Sequence, residues 1–151
     1  MAANPAGAVG LGAIGRAVLS TDPIDLALDP STGDLLIASG RASLTSGVAA
    51  VVQGIRIRLQ LIAGEWFLDL DAGVRYFPRD GVDARLAIFG AKFDETKAAR
   101  EFRAAILATP GVLAVTQLAI DFDGRTRAMS VRWQASTVFG DTPADVLALG
   151  R

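Results

Sequence analysis

The most constraining stretch of the chain is residues 111–137, GVLAVTQLAIDFDGRTRAMSVRWQAST. Leu118, Ile120 and Phe122 recur at every second position, and after Asp123-Gly124 so do Met129, Val131 and Trp133. Side chains alternate faces along a strand, so each set lies on one face. Asp-Gly between two alternating runs is a hairpin turn signal. The chain therefore has to house a long antiparallel hairpin with one apolar face.

Two helices are expected to cover that face. TSGVAAVVQGIRIRLQLIAG (45–64) opens on Thr45 or Ser46 as cap residues. Val48, Val51, Val52, Ile55, Leu59 and Ile62 share one broad helical face, with Gln53, Arg56 and Gln60 opposite. Gly64 suits the position just past the helix end. IRIRLQL alone alternates like a strand, but length and caps favour a helix. The second helix starts near Asp94, with Glu95 where the helix dipole favours an acid. Phe93, Ala98, Phe102, Ala105 and Ile106 give its apolar stripe, and Pro110-Gly111 ends it.

Ahead of the helices, Ile24, Leu26 and Leu28 alternate with polar or small residues. Pro30 to Gly33 is a turn, and Leu35, Leu36 and Ile37 form a return strand. The tail FGDTPADVLALGR reads as polar, then weakly helical. Residues 1–22 are Gly/Ala-rich and offer little side chain to bury, which suggests an extended N-terminal arm. The expected architecture is α+β: an antiparallel sheet with two main helices packed on one face. The expected organisation is an arm at 1–22 and a single domain at 23–151. With 151 residues, one sizeable core can be buried.

Composition narrows the chemistry. There is no histidine and no cysteine. That removes the usual general base near neutral pH, the thiolate nucleophile, disulfides and the commonest zinc ligands. A net charge of −1 gives no basic surplus for nucleic acid. No apolar run reaches the length of a membrane span. The N-terminus lacks a basic segment ahead of its apolar stretch, so no signal peptide is expected. We expect no cofactor, no metal, no nucleic-acid partner and no membrane partner.

GEWFLDLDAGVRYF (64–77) invites two readings. Glu65 with Asp69 or Asp71 could serve as a glycosidase pair, whose carboxyl groups stand about 5–10 Å apart across a sugar. The plainer reading is a helix exit, with acids in water and Trp66, Phe67, Tyr76 and Phe77 packed inside. Asp121-Phe122-Asp123-Gly124 resembles the start of a calcium loop, but the remaining ligands are absent, and a hairpin turn explains it. No grouping of residues resembles an active site, which favours a structural or interaction protein.

The stretch SGVAAVVQGIRIRLQLIAGEWFLDLDAGVRYF resembles the baseplate wedge proteins of contractile phage tails, also called sheath initiators. The residues that carry the resemblance are Arg56, Arg58, Leu59, Gly64, Glu65, Trp66, Phe67, Asp69, Gly73, Val74, Tyr76 and Phe77. ATPGVLAV and the closing hairpin extend it over about residues 24–140. Some members carry Glu-Pro-Arg at the end of the second helix. Here Glu101-Phe102-Arg103 and Thr109-Pro110-Gly111 stand instead, which points to the phage or phage-derived branch.

The resemblance implies a structural protein, not an enzyme. It would sit in the virion tail baseplate after assembly in the host cytoplasm. Its partners would be the sheath protein, the tail tube protein and baseplate wedge proteins, with multiple copies around the tail axis. Sheath would assemble by strand addition to its sheet edge, at Leu113–Phe122 or Arg127–Phe139. The second segment carries Arg127, Ser130, Arg132, Gln134 and Ser136. Trp66 and Phe67 would then seal the helix exit against the sheet, with Trp133 in the core. The alternative is a lysozyme-like cell-wall glycan hydrolase using carboxylates.

Overall fold

The computed structural model describes residues 24–78, 85–89 and 91–149. The arm expected at 1–22 lies outside the described residues. The architecture is α+β, as expected, and the long hairpin is its spine. Strands β5 (Val112–Asp123) and β6 (Ala128–Thr137) pair antiparallel. Leu118 faces Trp133, Ile120 faces Val131 and Phe122 faces Met129. The two alternating sets thus meet as cross-strand pairs on one face. The turn is longer than two residues: Asp123 accepts bonds from the Arg125 amide and the Thr126 hydroxyl, both at 2.8 Å. The register of β5 shifts between Val112 and Ala114 and again between Val115 and Gln117.

Helix α1 spans Gly47–Gln60 and α2 spans Glu95–Leu107. Asp94 caps α2 by accepting from the Lys97 amide at 3.1 Å, a bond of the kind worth about 1 kcal/mol. Ala98, Phe102, Ala105 and Ile106 are buried as the stripe predicts. They pack α2 onto β5, and α1 packs on α2. Val51, Ile55 and Leu59 of α1 complete the core with Val131, Trp133 and Ala135 of β6. Trp133 is 0% exposed.

Three expectations need correction. First, α1 ends at Gln60, earlier than the sequence pattern suggests. Its cap residue Leu61 is already extended, and Gly64 has φ +87° in the loop beyond. The chain leaves the helix to form a backbone ladder, Val74 N to Leu61 O at 2.9 Å and Ala63 N to Val74 O at 3.0 Å.

Second, the tail is not helical. β7 (Gly140–Asp141) and β8 (Asp145–Leu149) both pair with β6. Pro143 precludes a helix running through, and Leu147 and Leu149 point inward at strand spacing. Thr142 stitches the break: its amide donates to Ala135 O at 2.9 Å, and its hydroxyl accepts from Ala135 N at 3.0 Å.

Third, the N-terminal segment is only partly the simple hairpin expected. Its turn is present, with Gly33 N bonded to Asp29 O at 2.8 Å and Leu28 bridged to Leu35. But β1 (Ile24–Leu26) pairs with β4 (Leu44–Ser46) rather than with the return strand. The return strand continues as β2 (Ile37–Ala38), which pairs with β3 (Arg41–Ala42).

Candidate assembly interface

The four-stranded sheet runs β5-β6-β7, with β8 also paired to β6. β6 is therefore central, and the open edge expected at Arg127–Phe139 does not exist. Ser130 lies opposite Ala148, Arg132 opposite Val146 and Ser136 opposite Asp141. Backbone groups of consecutive antiparallel residues point to opposite sides. Ala135 bonds toward Thr142, while Val138 N donates to Gly111 O at 2.9 Å. By this alternation the Ser136 amide faces β5 and belongs to the hairpin's own ladder. Ser130, Arg132, Gln134 and Ser136 share the sheet face away from the helices. Arg127 sits in the turn with φ +58°. A helical tail, as the sequence pattern suggests, would leave that side of β6 open; the tail's strand β8 closes it.

The other segment, β5, is an outer strand of the sheet among the described residues. Among the described residues, no strand lies on the far side of β5. Leu118, Ile120 and Phe122 oppose Trp133, Val131 and Met129, whose own backbone groups alternate toward β8. The amides and carbonyls of Leu118, Ile120 and Phe122 therefore point outward, while their side chains pack on the core. One acceptor farther along is occupied: Arg103 Nη1 of α2 donates to Val115 O at 3.3 Å. The edge is thus bulged and covered by a cation at its start, and regular beyond it. Bulges and edge cations are how sheets avoid indiscriminate pairing.

A second feature is the loop after α1. Gly64 N donates to Leu70 O at 2.8 Å, Asp69 N to Trp66 O at 3.1 Å, and Asp71 N to the Asp69 carboxylate at 3.1 Å. The loop is an ordered bulge on the surface. Trp66 is 42% exposed and Phe67 82%, with Leu68 and Leu70 also exposed. They do not seal the helix exit as expected. The early end of α1 carries the chain outward before it returns at Ala72 and Val74, both buried.

The return is fixed by Gly73 at φ +102°, where a Cβ would stand 2.3 Å from Leu61 O. Val74 bridges Ile62 in parallel. Tyr76 is buried and donates its hydroxyl to Leu59 O, and burial pushes its phenol pKa upward. Glu65, Asp69 and Asp71 lie on the same loop rather than on opposite walls of a cleft.

Two ion pairs join residues far apart in sequence. Arg56, on the face of α1 opposite the apolar one, makes a paired contact with Asp145 of β8 at 2.7 and 2.5 Å and also donates to Pro30 O at 3.2 Å. Gln53 beside it accepts from Leu28 N at 2.9 Å and donates to Leu26 O at 2.8 Å. The polar side of α1 is thus a clamp for the N-terminal segment and the last strand. Together they border a groove of about 770 Å3. Arg75 and Glu101 form the second pair.

Comparison with known protein families matches residues 24–140 to the contractile injection system sheath initiators. No curated protein matches the chain. The chain belongs to the sheath initiator family, whose members are structural and not enzymes. It is a structural component of a contractile injection system baseplate, in contact with sheath and baseplate components. The glycan-hydrolase alternative falls with that assignment.

Proposed function

We propose that this chain starts sheath assembly by accepting a strand from the first sheath subunits on the outer edge of β5. Several copies sit around the first tube rings of a phage or phage-derived baseplate, and each offers one edge. The observation that carries this reading is the outward row of backbone groups at Leu118, Ile120 and Phe122, on the side of β5 away from β6, where no strand lies among the described residues. Main-chain hydrogen bonds would hold the arriving strand, and its alternating side chains would select it. The covered carbonyl of Val115 sets where pairing begins. The expected alternative edge on β6 is not part of the proposal, because β7 and β8 fill it.

The test removes edge donors without touching packing. Replacing Leu118 and Ile120 by their α-hydroxy analogues turns two outward amides into esters and keeps both side chains. Each net hydrogen bond is worth about 1 kcal/mol, so sheath nucleation should weaken by about tenfold or more. The thermal midpoint of the isolated protein should stay unchanged. Unchanged nucleation by the doubly substituted protein contradicts the reading.

A further inference from the structure

We infer that the loop Glu65–Asp71 is a docking plug for a baseplate protein other than sheath, one that presents an apolar pocket rimmed by Lys or Arg side chains. The inference rests on the proposal that the β5 edge takes sheath, since an initiator must also be held by the structure it grows from. Four large apolar side chains, Trp66, Phe67, Leu68 and Leu70, stand exposed on one short loop. Isolated exposed apolar residues are ordinary, but a contiguous set led by two aromatics is the composition of interface anchors.

Charge identifies the partner. Between Leu59 and Val74 the chain carries Glu65, Asp69 and Asp71 and no Lys or Arg. Asp69 and Asp71, which stand beside Leu68 and Leu70 in the loop, give its apolar end charge of one sign, which favours a basic rim and repels an acidic one. The loop is also preorganised. Its closing bond from Gly64 N to Leu70 O and the Asp69 side-chain bond to Asp71 N hold the backbone before any partner arrives. Little ordering cost remains at docking. The loop contains no strand, so it inserts side chains rather than adding to a sheet. That separates its chemistry from the β5 edge.

The test uses baseplates assembled without this chain, to which purified full-length protein is added. Phe67→Ser with Leu68→Ser should leave the fold intact, because both side chains are exposed, and circular dichroism checks this. Its incorporation should fall by about tenfold or more. Asp71→Lys should also bind less well at low salt, with the difference shrinking as salt rises. A photo-crosslinker at position 67 should join a non-sheath baseplate protein, beside apolar and basic residues.

Normal incorporation of the folded double variant overturns the inference. So does crosslinking to sheath, to tube, to a second copy of this chain or to lipid. The two proposals fail separately. Loss of the plug removes the protein from the baseplate, whereas loss of the edge leaves a seated protein that gathers no sheath.

Discussion

Arg75 holds Glu101 through two hydrogen bonds, Nε to Oε2 at 2.8 Å and Nη2 to Oε1 at 3.2 Å, with Glu101 only 4% exposed. Arg75 follows the surface loop, and Glu101 lies on the helix that covers the sheet. The pair therefore ties the loop's exit to the core. Among the described residues, Arg75→Met leaves the buried carboxylate with Arg100, at 3.6 Å, as its remaining cation. Breaking a fully buried pair costs about 3–5 kcal/mol. Arg75 is partly exposed, so about 2 kcal/mol is expected here. Adding Glu101→Gln should recover part of the loss, because no buried charge then remains. Denaturant titration of the three proteins checks both statements.

The two tryptophans should separate cleanly. Trp133 is fully buried between the helices and the hairpin, so Trp133→Ala should cost about 3–5 kcal/mol. Its indole Nε1 has no hydrogen-bond partner among the described residues. Trp133→Phe should accordingly cost much less, since no bond is lost. Trp66→Ala should cost under about 1 kcal/mol, as expected of a largely exposed side chain. Thermal unfolding of the three variants reads the order directly.

Gly73→Ala should be among the most damaging small substitutions. A non-glycine residue at φ +102° is strained by about 1–3 kcal/mol, and its Cβ would collide with backbone at Leu61 O. The Leu61–Val74 ladder then has to open, and the loop it closes should lose protection. Hydrogen exchange at the Val74 amide measures this.

Much of the fold was legible because the strongest patterns were long ones. Leu118, Ile120 and Phe122 against Met129, Val131 and Trp133 specified the hairpin and its core face, though not its register, which the longer turn after Asp123 sets, and Asp94 to Ile106 specified α2. The failures came where a short segment's fate depends on what it meets. Asp145 to Leu149 is too brief to distinguish helix from strand, and its pairing with β6 decided it. Without that pairing in view, Ser130 to Ser136 reads as an edge. Hydrophobicity alone places Trp66 and Phe67 inside, but hydrophobicity does not distinguish a core residue from an exposed apolar one. Gln53 and Arg56 looked solvated because their partners, Leu26, Leu28 and Asp145, lie far away in sequence.

Tyr76 gives a pH prediction with a defined sign. Burial raises its folded pKa above the ordinary 10.0. The unfolded chain therefore ionises first, and stability is lost as pH rises past about 10, by up to about 1.4 kcal/mol per pH unit. Tyr76→Phe should remove that component and cost about 1 kcal/mol at neutral pH through the lost bond to Leu59 O. Tyr76 is the chain's single tyrosine, so phenolate absorbance follows it without ambiguity.

The central claim is that sheath grows from the edge of β5, and an image of the assembled particle tests it most directly. Electron cryo-microscopy of baseplates carrying the first sheath ring should resolve a sheath strand beside β5. That strand should pair with the outward groups of Leu118, Ile120 and Phe122 and extend the four-stranded sheet to five. A first sheath ring that pairs with β8 instead, or that meets this chain without any added strand, would contradict the account.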